Sequence, residues 1–265
     1  MLRLTDGYHL FTDPDGRWLY ARADGGFVRI DGPAEVIATL STLIATGAVE
    51  MNSLPAQHRQ LAEELLRRGV LDRAADEPGG ESATVLVEGT NPVSQLLREL
   101  LDQPGVDIVT ADPLTADHVA ADIIVSCADR LTDDRWQQLD RWCGAREIAW
   151  HRTYVEGTAL VIGPFTAPGR TASYRDTRGR LLAAAQSPDE LLALWAHLDR
   201  VADARTRIPA AAAAVAAGLL AADVLAYLSD RTVPSHGHQL VYRPGDAVLT
   251  RHPVLPLPRL KAGVS

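Results

Sequence analysis

The chain has 265 residues, a length that suits one large domain or two smaller ones. Hydrophobic residues make up 46% and charged residues 23%, a globular composition that excludes a disordered chain or a fibre. The net charge is −8 and no dense run of Lys or Arg occurs, which argues against a protein that binds the nucleic-acid backbone. The first residues lack the basic and apolar regions of a signal peptide, so we expect a cytoplasmic protein.

The first part of the chain predicts a small α+β domain over residues 1–73. Three β-type runs, at 8–11, 17–21 and 27–30, are separated by turn sequences rich in Asp, Pro and Gly, which indicates a three-stranded β-meander. A helix with its first turn at Pro33 is expected next, and a second helix over residues 55–68 ends before Gly69. Residues 74–83 contain no large apolar side chain and predict a linker.

The remainder, residues 84–265, predicts an α/β domain. Apolar runs at 84–89, 106–110 and 123–127 alternate with helical patterns at 93–101 and 136–142, which is the spacing of βαβ units and favours a parallel, doubly wound sheet. A further strand is expected at 159–162, and two late strands around 239–242 and 247–250. The Ala-rich stretch 208–228 is long enough to cross a bilayer, but Ala drives insertion weakly, so we predict a buried helix and no membrane contact.

The turn after the first strand of this α/β domain is where a nucleotide-binding domain carries G-x-G-x-x-G. Here the second glycine is replaced by Asn91 and the third by Ser94, and Pro92 removes an N–H donor from the first helical turn. Asn91 followed by Pro92 is instead a good N-cap and N1 pair. The sequence therefore favours a structural turn over a phosphate site.

Other candidate chemical groups are weaker. His236 and His238 lie two residues apart with no third ligand nearby, which is more typical of a solvated loop than of a metal site. Ser126 and Ser173 stand in no nucleophile motif, and Cys127 ends a buried strand where it is expected to pack as a small hydrophobe. We predict no catalytic residue, no metal and no cofactor.

One segment carries a specific resemblance. Residues 162–180, IGPFTAPGRTASYRDTRGR, resemble a hallmark of ThiF-like (ubiquitin-activating-type) domains of ribosomal-peptide biosynthesis, in which two cysteines of this run join a C-terminal CxxC to hold a structural zinc. Ser173 and Asp176 stand at the two cysteine positions here, and the tail after Pro256 contains no thiol. The resemblance spans about residues 84–258 and implies a Rossmann-type fold without the zinc.

The first domain is similar to the winged-helix-like peptide-recognition element of ribosomal-peptide tailoring systems. Together the two parts resemble the partner proteins of YcaO cyclodehydratases, which form azolines and azoles from Cys, Ser and Thr. The resemblance implies a non-catalytic partner that captures the leader of a precursor peptide and presents it to a YcaO enzyme, and it allows a homodimer. Two alternatives stay open: an ATP-dependent adenylating enzyme with an atypical phosphate loop, and a purely structural dimeric module.

The predicted peptide site lies between the third strand and the second helix. The strand of residues 27–30 is expected at the sheet edge, where an extended peptide adds as a further strand, and the N–H of Val28 is expected to be free to pair with that peptide. By the resemblance, the helix of residues 55–68 forms the opposite wall. Leu61 and Leu65 are four residues apart on it and either line an apolar pocket or belong to the core, and Arg67 and Arg68 are expected to meet leader carboxylates. The predicted contact residues are Phe27, Val28, Arg29, Ile30, Leu61, Glu64, Leu65 and Arg68.

Overall fold

The computed structural model describes residues 2–22, 24–46, 49–73, 82–111, 121–201 and 207–258. The chain divides into two compact units, Met1–Gly79 and Gly80–Ser265. Residues 74–81, most of the predicted linker, lie outside the described residues, and so do residues 259–265 of the predicted second domain.

The first unit contains five short strands and two α-helices in its described residues. In chain order they are β1 (Leu2–Leu4), β2 (His9–Thr12), β3 (Trp18–Ala21), β4 (Phe27–Arg29), α1 (Ala34–Ala45), α2 (Ala56–Arg67) and β5 (Leu71–Arg73). The predicted meander is present as an antiparallel sheet in the order β2-β3-β4, and β1 pairs with β5, a pairing that the sequence patterns did not predict.

The core of the first unit is formed by apolar side chains from its strands and both helices. Leu40 and Ile44 of α1, Leu65 of α2 and Tyr20 of β3 are buried together, and Leu2 joins them from β1. Helical spacing at i and i+4 puts the two α1 residues on one face. The small sheet and both helices therefore share one apolar interior.

The second unit contains a seven-stranded sheet with helices on both faces. Its elements are β6 (Ala83–Glu88), α3 (Pro92–Leu101), β7 (Val106–Ala111), β8 (Ile123–Cys127), α4 (Asp133–Arg146), β9 (Ala149–Glu156), β10 (Ala159–Ile162), α5 (Tyr174–Ala184), α6 (Pro188–Arg200), α7 (Ala210–Asp230), β11 (His238–Arg243) and β12 (Val248–Pro253). The strand order across the described residues is β12-β11-β10-β9-β8-β6-β7.

The prediction of a parallel sheet is right for only part of this unit. β7, β6, β8 and β9 run parallel, as the alternation of strand and helix indicated. β9 to β12 are antiparallel, so the sheet is mixed. β9 and the helices α5 and α6 were not predicted; in β9 the buried residues include His151 and Arg152, which hide the apolar pattern of a buried strand.

Alternating side chains along the strands build two separate cores. Val85 and Val87 of β6 face α3 and α7, whereas Leu86 between them faces α4, α5 and α6. The Ala-rich helix α7 packs closely on α3 through small residues such as Ala213 and Ala217. α7 also has the length and hydropathy of a membrane span, a test that buried core helices pass as well, and half of its most apolar window is buried inside the unit.

Candidate functional site

The β4 strand forms one edge of the three-stranded sheet, and its only strand partner among the described residues is β3. The Ile30 N–H donates to the Trp18 carbonyl (2.9 Å) and the Arg22 N–H to the Gly26 carbonyl (2.8 Å). Because hydrogen-bonded pairs alternate in an antiparallel ladder, the Val28 backbone also points toward β3. The expectation that Val28 offers a free N–H is therefore wrong: the outward backbone groups belong to Phe27 and Arg29.

The side chains of β4 divide between solvent and the core, as the period of two requires. Phe27 is 68% exposed and meets Phe11 edge-on, with ring centroids 6.0 Å apart. Arg29 is exposed, whereas Val28 and Ile30 pack against the core of the unit. The edge therefore presents an aromatic group and a cation to solvent beside its open backbone groups.

The α2 helix contributes less to the predicted pocket than expected. Leu65 is only 2% exposed and packs among core residues, so it does not line an open pocket, and this part of the prediction is corrected. Leu61 is half-buried on the same helix face because the two residues are one turn apart. Leu61 is thus the apolar α2 residue of the predicted set that keeps accessible surface.

A charged cluster lies at the end of α2. Arg68 Nε donates to Glu64 Oε1 (2.5 Å), and Arg67 forms a second ion pair with the same carboxylate. Hydrogen bonds from Arg68 and Arg67 lower the pKa of Glu64, and the hydrogen bond with Glu64, followed by one with Tyr20 of β3, raises the pKa of Arg68. Tyr20 faces Val28 across the ladder, so the structure brings Arg68 toward the sheet that ends in β4.

The second unit has its own candidate position at the carboxyl ends of β6 and β8. α3 follows β6 on one face of the sheet and α4 follows β8 on the other, which creates the topological switch point where ligands bind in sheets of this type. Gly89 closes this turn with φ +115°, and a Cβ there would lie 2.3 Å from the Cys127 carbonyl oxygen. The glycine is required by a neighbouring backbone rather than by a phosphate.

Side chains of the turn form hydrogen bonds with backbone groups at the start of α3, where a bound phosphate would need free N–H donors. The Asn91 side chain accepts the Ser94 N–H (3.1 Å) and donates to the Cys127 carbonyl (3.1 Å), while the Ser94 hydroxyl donates to the Gly89 carbonyl (2.9 Å). Asn91 is the N-cap and Pro92 is at N1, which confirms the predicted capping pair. With one N–H missing and another engaged, these residues do not fit a phosphate cradle.

A buried polar network continues from this turn into the sheet. The Ser126 hydroxyl donates to Glu88 Oε2 (2.8 Å) and accepts a hydrogen bond from Trp150 Nε1 (3.0 Å). Arg135 of α4 pairs with the other Glu88 oxygen. Ser126 therefore links the Glu88 carboxylate to the Trp150 indole inside the sheet and is 1% exposed.

The residues at the implied zinc position form a different kind of junction. Ser173 and Asp176 build a capping box at the start of α5, with the Ser173 N–H donating to Asp176 Oδ2 (2.8 Å) and the Asp176 N–H to Ser173 Oγ (3.1 Å). The Leu257 N–H donates to Asp176 Oδ1 (3.0 Å), and Arg180 binds the carbonyls of Leu255 and Pro256. Hydrogen bonds therefore hold the C-terminal segment on α5, and a pair of oxygens without thiolates does not fit structural zinc.

We call the hydrogen bonds of Asp176 and Arg180 with residues 255–257 the Asp176 clasp. A first prediction concerns its contribution to stability. Replacing Asp176 with Ala should lower the free energy of unfolding of the second unit by about 1–2 kcal/mol, because the carboxylate half of the capping box and the contact to Leu257 are lost together, while Ser173 still caps the backbone N–H of residue 176. Urea unfolding followed by tryptophan fluorescence measures it. Asp189→Ala, in the first turn of α6, is the matched control; an equal loss in both variants would show that Asp176 acts only through the helix dipole.

The remaining chemical candidates are structural. His238 Nδ1 bonds the His236 carbonyl (2.7 Å), so this pair stabilises its own turn, and no cluster of three metal-binding side chains occurs in the described residues. Cys127 and Cys143 are buried, and burial raises the pKa of each thiol to about 12. Both cysteines therefore pack as hydrophobes.

One polar cluster was missed in the sequence because its members are far apart. His151 Nε2 lies 3.0 Å from Asp223 Oδ2, and the Ser235 N–H donates to Asp223 Oδ1 (3.0 Å) while its hydroxyl binds the same carboxylate. All three residues are at most 4% exposed, and His151 Nδ1 has no partner among the described residues. Because all three side chains are buried, a substrate has no access to them, and we interpret the cluster as structural.

No protein-family model matches this sequence, and no curated protein matches it. The fold is similar to that of two heterocyclases of known structure: one solved in complex with substrate and cofactor (TM-score 0.64, 14% identity, 96% of this chain and 38% of that one) and TruD (TM-score 0.67, 14% identity, 97% and 42%). The chain thus spans about two fifths of those proteins. It is also similar to E. coli MccB solved with ATP (TM-score 0.60, 15% identity, 97% and 98%). At these identities the likeness shows the fold alone, a mixed α/β architecture shared with heterocyclases and MccB.

Proposed function

We propose that this chain is a non-catalytic partner in ribosomal-peptide biosynthesis that captures the leader of a precursor peptide and presents it to a YcaO-type cyclodehydratase. The open edge of β4 carries the proposal. Its outward N–H and C=O groups, at Phe27 and Arg29, match what an extended peptide needs to add as a fourth strand.

Charged groups beside the edge supply selectivity that backbone pairing lacks. Arg29 projects from β4, and Arg68 lies at the end of α2 with Glu64 as its counter-charge. Because Glu64 shares one charge between two arginines, the cluster of Glu64, Arg67 and Arg68 keeps a net positive charge. An acidic leader is the peptide that this surface suits best.

The fold likeness supports the same setting. One heterocyclase was solved with substrate and cofactor, and MccB was solved together with MccA and the nucleotide AMPCPP. The motif at residues 162–180 points to the same group of proteins. In this reading the first unit is the winged-helix-like recognition element and the second a ThiF-like domain that has kept its fold and lost adenylation. Tethering the leader near a separate cyclodehydratase raises its effective concentration there.

The alternative of an adenylating enzyme is disfavoured by the turn at Gly89. Asn91 and Ser94 bond to the backbone groups around them, and Pro92 has no N–H to give. An ATP-binding site at this turn would first need these hydrogen bonds to be broken.

Calorimetry with the full chain tests the proposal. The probe is the leader of a precursor peptide, short and rich in Cys, Ser and Thr, to be identified by sequencing the genes that flank this one. We expect the leader to bind without ATP, ATP-Mg²⁺ to give no heat at micromolar concentrations, and elemental analysis to find no stoichiometric zinc. Tight ATP binding would favour the adenylating enzyme instead, and a leader that does not bind would favour the structural module.

A further inference from the structure

We propose that a cleft between α4 and α5 binds carboxylate side chains of an acidic polypeptide segment. The cleft has a volume of about 350 Å³, and its walls include Gln137, Asp140, Arg141, Arg175, Arg178 and Leu257. It lies within the second unit and shares no residue with the β4 edge, so it is a different site from the leader site proposed above.

Helical spacing explains why the cleft collects these side chains. Gln137 and Arg141 are four residues apart on α4, and Arg175 and Arg178 are three apart on α5, so each pair lies on one helix face. α4 and α5 pack against each other, which brings the two faces together. Leu257, held on α5 by the Asp176 clasp, adds an apolar wall.

The guanidinium groups of the cleft have few partners of their own. Arg178 Nε donates to both oxygens of the buried Asp133 (3.0 and 2.8 Å), and its guanidinium lies over the Trp195 ring at 5.0 Å. Its two Nη groups have no hydrogen-bond partner in the part of the chain that the structure describes. Arg141 and Arg175 likewise form no ion pair with any described residue. Three cations therefore face the cleft, and one of them is held in a fixed orientation.

The carboxylate in the cleft is already engaged. Asp140 accepts the N–H groups of Tyr174 (2.9 Å) and Arg175 (3.2 Å) at the start of α5. Burial lowers the pKa of Arg152 to about 10, and the negative charge of Asp140 opposes this shift; Arg152 is 1% exposed and forms no ion pair with a described residue. Asp140 and the Asp133 that pairs with Arg178 offset two of the three arginine charges of the cleft, which leaves one positive charge in excess. The cleft is thus a positive site on a chain of net charge −8.

The chemistry of the walls selects the ligand. Planar guanidinium groups bind carboxylates through paired hydrogen bonds, and Leu257 with the arginine stems provides contact for a short hydrocarbon arm. A volume near 350 Å³ lies at the small end of ligand pockets, roughly 300–1,000 Å³, and exceeds what a single phosphate ion needs. These properties fit one or two glutamate or aspartate side chains of a bound polypeptide.

Fluorescence polarisation with fluorescein-labelled hexaglutamate, using the full-length protein, tests the proposal. We expect binding that weakens as salt is added, and a double variant Arg141→Gln/Arg175→Gln that binds about tenfold more weakly, since two charge-assisted contacts are lost. Arg170→Gln is the matched control, because Arg170 is exposed, forms no ion pair with a described residue and does not line the cleft. Both substituted cleft arginines are exposed, so the melting temperature should stay unchanged.

Three results would overturn the proposal. The first is that hexaglutamate fails to bind the wild-type protein, and the second is that it binds the double variant as tightly as the wild type. The third is that inorganic phosphate displaces hexaglutamate at the concentration at which unlabelled glutamate-containing peptides do, which would indicate a general anion site. Labelled hexaglutamine, which lacks the charge, should bind neither protein.

Discussion

Replacing Arg29 with Pro is expected to weaken leader-peptide binding about tenfold, because the substitution removes an outward N–H of β4 and places a ring where a fourth strand would pair. The β2-β3-β4 ladder itself should survive, since Arg29 faces Leu19 in a pair whose backbone groups point away from β3. Fluorescence polarisation with the leader peptide measures the change. Circular dichroism checks that the sheet is intact.

The matched control separates backbone from side chain. Arg29→Ala removes the cation and keeps the N–H, so its loss should be smaller than that of Arg29→Pro and should shrink as salt is added. Val28→Pro is not a useful variant, because the Val28 N–H belongs to the ladder with Tyr20 and its loss would disrupt the sheet. Equal affinity in wild type and Arg29→Pro would place the leader elsewhere, for example in the cavity of about 610 Å³ lined by Leu66, Arg67 and Arg73.

The same strand shows how far the sequence predicts this site. Turn residues and β-type runs predicted the meander, and the point where the chain leaves the sheet predicted β4 as an edge. The sequence does not reveal which N–H groups point outward, because that depends on the alternation of hydrogen-bonded pairs along the ladder. Nor does it separate Leu65, which is buried, from Leu61, which keeps exposed surface, since both share one helix face.

In the second unit, local signals predicted local structure well. Asn91 and Pro92 indicated the start of α3, and both have the capping roles expected of them. The reversal from parallel to antiparallel strands at β9 has no such signal. His151 and Arg152 are buried in this strand although they are polar. Their burial is tolerated because other elements supply hydrogen-bond partners: Asp223 for His151, and two threonine hydroxyls for Arg152. In a sequence, buried polar residues whose hydrogen-bond partners are distant in the chain resemble surface residues.

The buried cluster around Asp223 is where we expect the largest effect on stability. Asp223→Ala should lower the free energy of unfolding by about 3 kcal/mol or more, because His151 and Ser235 would stay buried without their shared acceptor. The fluorescence of the buried Trp136 and Trp150 reports unfolding of this unit. A loss no larger than that of Asp189→Ala would show that water replaces the carboxylate and that the cluster contributes little.

The pH dependence of stability distinguishes the charge of Asp223 from its shape. Burial alone would raise the pKa of this carboxyl, but the hydrogen bonds from His151 and Ser235 outweigh it and hold the pKa below its ordinary value of 3.8. The folded protein therefore takes up this proton less readily than the unfolded chain, so the stabilisation is fully present above about pH 4 and is lost as the pH falls through the lowered pKa.

Asp223→Asn keeps the size of the side chain and cannot titrate. We expect it to be less stable than wild type at neutral pH and to lose less stability between about pH 5 and pH 3, as urea midpoints at each pH would measure. Parallel losses in the two proteins would assign the acid sensitivity to other carboxylates.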